Sequence, residues 1–265
     1  MIGQAAGVDL LRYGGWAWPS VFGSLLSENA YFIDGVDSTT AFNGEWGFSL
    51  NFDAVQEVAL ESGGFEAEFG RATGGIINVV TKSGGNRYAG AVDARYRGNS
   101  FQESGKFFDP SNLASQYRNL GASLGGRIVR DRLWFFASWQ GFIHDETPFA
   151  SPTTQSTADQ NFMAKLTWAA NASWRIVAKY TGNPWHIENF NASQFVSAEA
   201  TGRNQGDVDA VSGELTGVLS DVLFLNLAGG RTAWEWDIHP SSGDLQTIAH
   251  YNYDTGELTE NFNFL

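Results

Sequence analysis

The sequence predicts a mainly β fold in two parts. Residues 1–87 form a small globular part, and residues 88–265 supply about seven antiparallel strands of a transmembrane β-barrel, incomplete and open. Three observations carry this reading. Apolar and polar residues alternate with a period of two from Tyr88 to beyond Arg231. The alternating runs are longer than the roughly 5–6 residues of an ordinary strand and match the roughly 9–11 needed to cross a bilayer at a tilt. The connections between runs are alternately long and short, the pattern of a barrel with external loops at one end and tight turns at the other.

The first part does not alternate. "NAYFIDGVDST" reads as a short strand that turns at Asp34-Gly35, because both positions tolerate positive φ. "DAVQEVALESG" is a second strand, with Val58 and Leu60 marking its buried stretch. "GGIINVVTKSGG" is a third, apolar on both faces around Asn78, and so expected to be central and buried.

The wall strands follow in order. The predicted runs are Tyr88–Gly98, Tyr117–Val129, Leu133–Ile143, Asn161–Trp168, Ala172–Gly182, Val211–Leu219 and Leu223–Arg231. Short turns fall at Arg130-Asp131, Ala169-Ala170-Asn171 and Ser220-Asp221. Long loops follow Gly98, His144 and Gly182. Trp134, Phe135, Phe136, Trp168 and Trp174 lie beside the turns, and Tyr96, Phe142 and Tyr180 near the loops, as two interfacial belts would require. The opposite face carries Arg95, Arg127, Lys165, Arg175 and Lys179, which a barrel turns toward its lumen for water or a plug to satisfy.

Composition narrows the function. A formal charge of −13 argues against nucleic acid as a partner, since phosphate neutralisation needs clustered Lys and Arg. With no Cys, disulfides and thiolate chemistry are excluded. No run approaches the roughly 18 apolar residues of a membrane helix. The start, "MIGQAAGVDLLRYGGWAWP", lacks the basic and apolar regions of a signal peptide.

Three segments then resemble a known family. "YFIDGVDS", "VQEVALESGGFEAEFGRATGGIINVVTKSGGN" and "LGGRIVRDRLWFFASWQGF" are similar to the end of the plug and the start of the barrel in TonB-dependent outer-membrane receptors, in their Oar-like branch. The resemblance implies that residues 1–87 are the C-terminal portion of a plug domain, and that the chain leaves the plug for the wall near "TKSGGN". It implies the outer membrane as location. The implied partners are a TonB energy-coupling complex reached through a segment outside this sequence, outer-membrane lipid and lipopolysaccharide, and an unidentified solute. About seven strands cannot close a barrel, so the chain is expected to be an internal fragment of a longer protein.

The resemblance also selects site candidates: Asp34, Gly35, Glu57, Arg71, Gly74, Gly75, Asn78, Thr81 and Lys82, all in plug motifs. The glycines are expected to permit close packing or positive φ. Arg71 is expected to pair with a carboxylate in plug or wall, with Glu57 as one partner, either as a release lock or simply to hold the plug in shape. No cofactor is implied. The glycine-rich stretches fail the P-loop pattern. His144, His186, His239 and His250 fall in expected loops; His186-Ile187-Glu188 could touch a metal but reads more simply as solvated. Asp145, Glu146, Asp254, Glu257 and Glu260 could bind divalent cations at the cell surface but read more simply as a solubilising exterior. No Ser-His-Asp or carboxylate pair suggests an enzyme. Two other readings stay open: a passive porin or adhesin barrel, disfavoured by the globular part ahead of the first strand, and a soluble carbohydrate-binding sandwich, suggested by 10 Trp.

Overall fold

The computed structural model describes residues 8–13, 16–40, 44, 50–65, 72–98 and 115–262. Strands β1 (Val8–Tyr13) and β2 (Trp16–Val21) make an antiparallel ribbon. Next come β3 (Ala30–Ile33), β4 (Val36–Asp37), β5 (Val55–Glu61) and β6 (Ile76–Thr81), which form a four-stranded sheet in the order β4-β3-β6-β5. β6 pairs parallel with β3 and antiparallel with β5. Its central place follows from its sequence: Ile76, Ile77 and Val79 are buried, and Ile77 packs with Tyr31 and Val21. Asp34 and Gly35 turn the chain between β3 and β4 with φ of 50° and 76°, the left-handed pair a tight hairpin needs.

The wall is one antiparallel sheet. Its strands are β7 (Ala89–Gly98), β8 (Ser115–Val129), β9 (Leu133–Glu146), β10 (Gln155–Ala169), β11 (Trp174–Gly182), β12 (Trp185–Phe190), β13 (Gly202–Ser220) and β14 (Leu223–Pro240). β11 and β12 are one strand interrupted at Asn183-Pro184, since both pair with β10 on one side and β13 on the other in unbroken register. The eight strands of this sheet are therefore seven passes of the chain. Pro184 accepts from the Gln160 N–H at 3.0 Å but has no N–H to return. The Asn183 side-chain amide donates to the Gln160 carbonyl instead, at 2.9 Å, which is how a proline survives in mid-sheet. A two-residue ladder, β15 (His250–Tyr251) with β16 (Leu258–Thr259), follows beyond the wall.

Burial in the wall is inverted. Along β10, Asn161, Lys165 and Thr167 are buried with Met163, while Phe162, Leu166 and Trp168 are exposed. Along β11, Lys179 and Thr181 are buried while Ile176 and Tyr180 are exposed. Val92, Leu120, Leu124, Ile128 and Val211 extend the exposed apolar face across the sheet. A sandwich would bury that face against a second sheet. Here it is open, and hydrocarbon is the medium that satisfies it.

The register corrects the aromatic belts. Phe135 lies opposite Leu166 on the outer face, which also carries Trp168, Trp174, Tyr96 and Tyr180. Phe136, Trp134 and Phe142 face the other way. Phe136 packs on Ala54 and Met163, Trp134 donates to Asn86 Oδ1 at 2.9 Å, and Phe142 stacks on Tyr117 at 5.7 Å. Successive aromatics on a strand cannot share one face.

The strands also outrun the predicted runs, chiefly at the loop end. β10 begins at Gln155, β13 begins at Gly202, and β14 continues to Pro240. Much of the loop expected after Gly182 is therefore sheet. His144, His186, His239 and His250 stand on strands, not in loops. Above the lipid both faces meet water, so the ladder continues while the alternation fades.

This arrangement predicts a depth-dependent response. Leu166→Arg, on the apolar band, should cost about 2–4 kcal/mol in reversible folding into vesicles, whereas Gln160→Arg, on the same face above the band, should cost about 0–1 kcal/mol. Equal costs at the two positions would contradict a lipid-facing surface.

Candidate functional site

The inner sheet meets the wall through a buried ionic cluster. Lys165 on β10 and Lys179 on β11 stand directly opposite each other across the β10–β11 hairpin. Both side chains face the inner sheet and are only 7% and 6% exposed. Like charges placed this way, with side chains about 4.5–5.5 Å apart at Cβ, destabilise a sheet. Here a single carboxylate from the inner sheet lies between them. Asp34 Oδ2 is 2.9 Å from Lys179 Nζ, and Asp34 Oδ1 is 3.4 Å from Lys165 Nζ.

Thr81 completes the cluster from the end of β6. Its N–H donates to Asp34 Oδ1 at 2.8 Å and its hydroxyl to Oδ2 at 2.7 Å. Lys165 donates to the Thr81 carbonyl at 3.2 Å and to its hydroxyl oxygen at 3.0 Å. Lys179 donates to the Ile33 carbonyl at 3.2 Å. The positive φ of Asp34 therefore has a use beyond the turn, since it sets the carboxylate over the end of the neighbouring strand. Burial works to raise the pKa of Asp34. The Lys179 charge, the Thr81 hydroxyl and amide bonds and the Lys165 charge outweigh it, so the carboxyl lies below its ordinary value.

Apolar contacts flank the cluster. Ala54 packs on Phe136 and Met163, and Ile33 packs on Val208. Asn51 donates to the Trp139 carbonyl at 3.3 Å. The junction between the two parts is held separately. Asn86 Oδ1 accepts from the Asp131 N–H and from Trp134 Nε1, both at 2.9 Å, and the Arg127 guanidinium donates to the Asn86 carbonyl at 2.9 Å. A Cβ on Gly84 would lie 2.1 Å from the Phe135 carbonyl oxygen, so only glycine passes this point.

The site candidates fall into three groups. Asp34, Gly35 and Thr81 converge on the cluster, and Asn78 supports it by accepting from the Gly35 N–H at 3.3 Å. Gly74 and Gly75 pack away from it: a Cβ on Gly74 would lie 2.4 Å from Ser24 Cβ, and one on Gly75 2.8 Å from the Val21 methyls. Glu57 is exposed on β5, and the Lys82 N–H bonds the Ala54 carbonyl at 2.7 Å; neither side chain joins an ion pair among the described residues. Arg71 lies outside the described residues. The sequence reading turned Lys165 and Lys179 toward the lumen as separate charges and did not pair them. The signal was available, because the two are equidistant from the turn that joins β10 to β11.

A wall with its apolar face outward and a separate sheet packed against its polar face defines a plugged β-barrel of the outer membrane. Residues 80–153 match the family described as outer membrane beta barrel domain. In sequence, the chain is 37% identical over 127 residues to the TonB-dependent transporter Oar of Myxococcus xanthus, a match covering 45% of this chain and 12% of that protein. In fold, it is similar to the outer membrane transporter YddB of Escherichia coli, with a TM-score of 0.65 at 16% identity, over 82% of this chain and 32% of the other. The siderophore receptor PirA of Acinetobacter baumannii gives 0.65 at 14% identity, over 96% and 38%. A mutant of the ferric enterobactin receptor of Pseudomonas aeruginosa gives 0.59 at 14% identity, over 84% and 36%. The chain thus spans about an eighth of the curated relative's length and about a third of each of these solved chains. The Oar-like resemblance read from the motifs and the outer-membrane location both stand on these findings.

Two outcomes follow from the cluster. Asp34→Asn should cost about 3–5 kcal/mol, because it leaves two buried cations uncompensated, and adding Lys165→Met with Lys179→Met should recover most of the loss. Chemical unfolding of the three proteins in detergent measures both effects. With a folded-state pKa below the unfolded one, the Asp34 contribution is complete above the ordinary carboxylate value of about 4 and is lost as pH falls through the lowered value. Hydrogen exchange in β6 should therefore accelerate in acid in the native protein more than in Asp34→Asn.

Proposed function

We propose that this chain is part of a TonB-dependent outer-membrane transporter, in which residues 1–87 are the end of the plug and residues 88–265 the first strands and loops of the barrel. The whole protein takes up a bulky solute against a gradient. Loops outside capture the solute, the plug closes the lumen, and a TonB complex pulls on a periplasmic segment to rearrange the plug. Of the motif residues, Asp34 and Thr81 hold the plug to the wall, with Gly35 and Asn78 shaping the turn that presents Asp34. Like its named relatives, which are transporters and receptors, the protein acts by moving a solute and not by catalysis.

The observation that carries the proposal is the attachment itself. Among the described residues the inner sheet is held to the wall by one buried carboxylate and its partners, with the Asn51 bond and two small apolar contacts beside them. A buried ion pair is hard to break by losing one partner, yet both partners are stable once water reaches them. That suits a closure that must hold and then let go.

A tether tests this. These 265 residues have no Cys, so within them an introduced pair has only itself to oxidise with. A Cβ on Gly230 would lie 3.2 Å from the Val36 side chain of the inner sheet, so Val36→Cys with Gly230→Cys spans plug and wall. In cells, uptake of an added iron-siderophore panel should stop when the pair is oxidised and resume on reduction. Uptake unchanged by oxidation would point to a passive channel.

A further inference from the structure

The cluster is unbalanced. Two lysines meet one carboxylate, and among the described residues no second acid pairs with either. The wall around them also holds polar groups that the inner sheet does not use. Thr167 lies two residues from Lys165 on the same face, and Thr181 two residues from Lys179. Ser138 stands opposite Met163, one step further along that face. Thr167, Thr181 and Ser138 are 3%, 2% and 7% exposed, and their hydroxyls have no hydrogen-bond partner among the described residues. Buried hydroxyls are normally satisfied, and an unused set beside two ammonium groups asks for a reason.

We propose that this wall patch is an anion-binding subsite of the opened lumen, and that Asp34 occupies it as a built-in ligand while the plug is in place. The two ammonium groups form the receptor, with Thr167 along the strands on one side of them and Thr181 and Ser138 on the other, and the group found between them is a carboxylate. The ligand class is therefore a carboxylate carried by the passing solute. As the plug moves, Asp34 leaves and water reaches the lysine pair, which then offers two adjacent positive charges to an anion in the lumen. A solute bearing a carboxylate is thereby drawn past the point the plug has vacated, and its arrival delays the return of Asp34. The identity of that solute rests on the uptake reading above, whereas the binding chemistry does not.

The test uses acetate as the probe and needs no transport. The complete polypeptide carrying Asp34→Ala is refolded into detergent in acetate or in chloride at equal ionic strength. Thermal unfolding and hydrogen exchange of β6 are then recorded against anion concentration. Acetate should raise the melting temperature by several degrees in a saturable way, with chloride much weaker. The native protein, whose own carboxylate fills the patch, should show no such rise, and neither should Asp34→Ala with Lys165→Met and Lys179→Met. If Asp34→Ala folds only when acetate is present, that outcome also supports the subsite. Equal yields and equal melting curves in the two salts, or no folded barrel in either, would overturn it. An overturned subsite with an intact response to the Val36–Gly230 tether would leave active uptake standing, and the reverse pattern would leave the subsite standing alone.

Discussion

Two lysines facing each other across neighbouring strands, both shut away from water, cannot persist without a negative charge between them. That requirement organises the molecule. It gives the wall a demand that its own strands do not meet, and it gives the inner sheet a reason to sit where it does. The hairpin at Asp34-Gly35 is short and left-handed because its first residue must reach past its own sheet. At the end of β6 the Thr81 amide and hydroxyl hold the carboxylate in an orientation that serves both lysines.

The two parts of the chain are stabilised by opposite means. The inner sheet is an ordinary small fold, with Tyr31, Ile77 and Val21 buried together and the most apolar strand in the middle. The wall turns its apolar residues out and its polar residues in, and no apolar core of its own lies behind it. Its cohesion comes from ladders that run the length of each strand and from the lipid that covers one side. Because the inner face is polar, its contact with the plug consists of a few specific bonds set among small apolar patches. Such a contact can be exchanged for water far more readily than a packed core can.

The legible parts of this fold were those where lipid imposes a rule. From Phe162 to Trp168 every second residue is apolar, and β10 is found there. From Gln155 to Gln160 that rule lapses, because this stretch projects beyond the bilayer, and the sequence looked like loop although its backbone bonds continue. In the neighbouring strand Pro184 is a residue that normally argues against a strand interior, and the substitution of the Asn183 side chain for the missing donor leaves no local mark in the sequence. Asp34 and Thr81 could be chosen from the motifs they stand in. Their meeting with Lys165 and Lys179 depends on how one sheet lies on another, 84 or more residues apart in the chain. Only the pairing of the lysines with each other was within reach, through the symmetry of their hairpin.

The staple at Asn86 sets a leash. Seven residues separate Thr81, the last of β6, from Ala89, the first of β7. Even drawn straight they span only about 23–25 Å. With Asn86 fastened to the turn after β8, the free length shrinks to the few residues from Lys82 to Gly85. The central strand of the inner sheet is thus moored to the rim at the short-turn end. A force applied further upstream cannot carry this sheet away whole while the mooring holds. Any displacement of the sheet is thus a displacement about this fastened end.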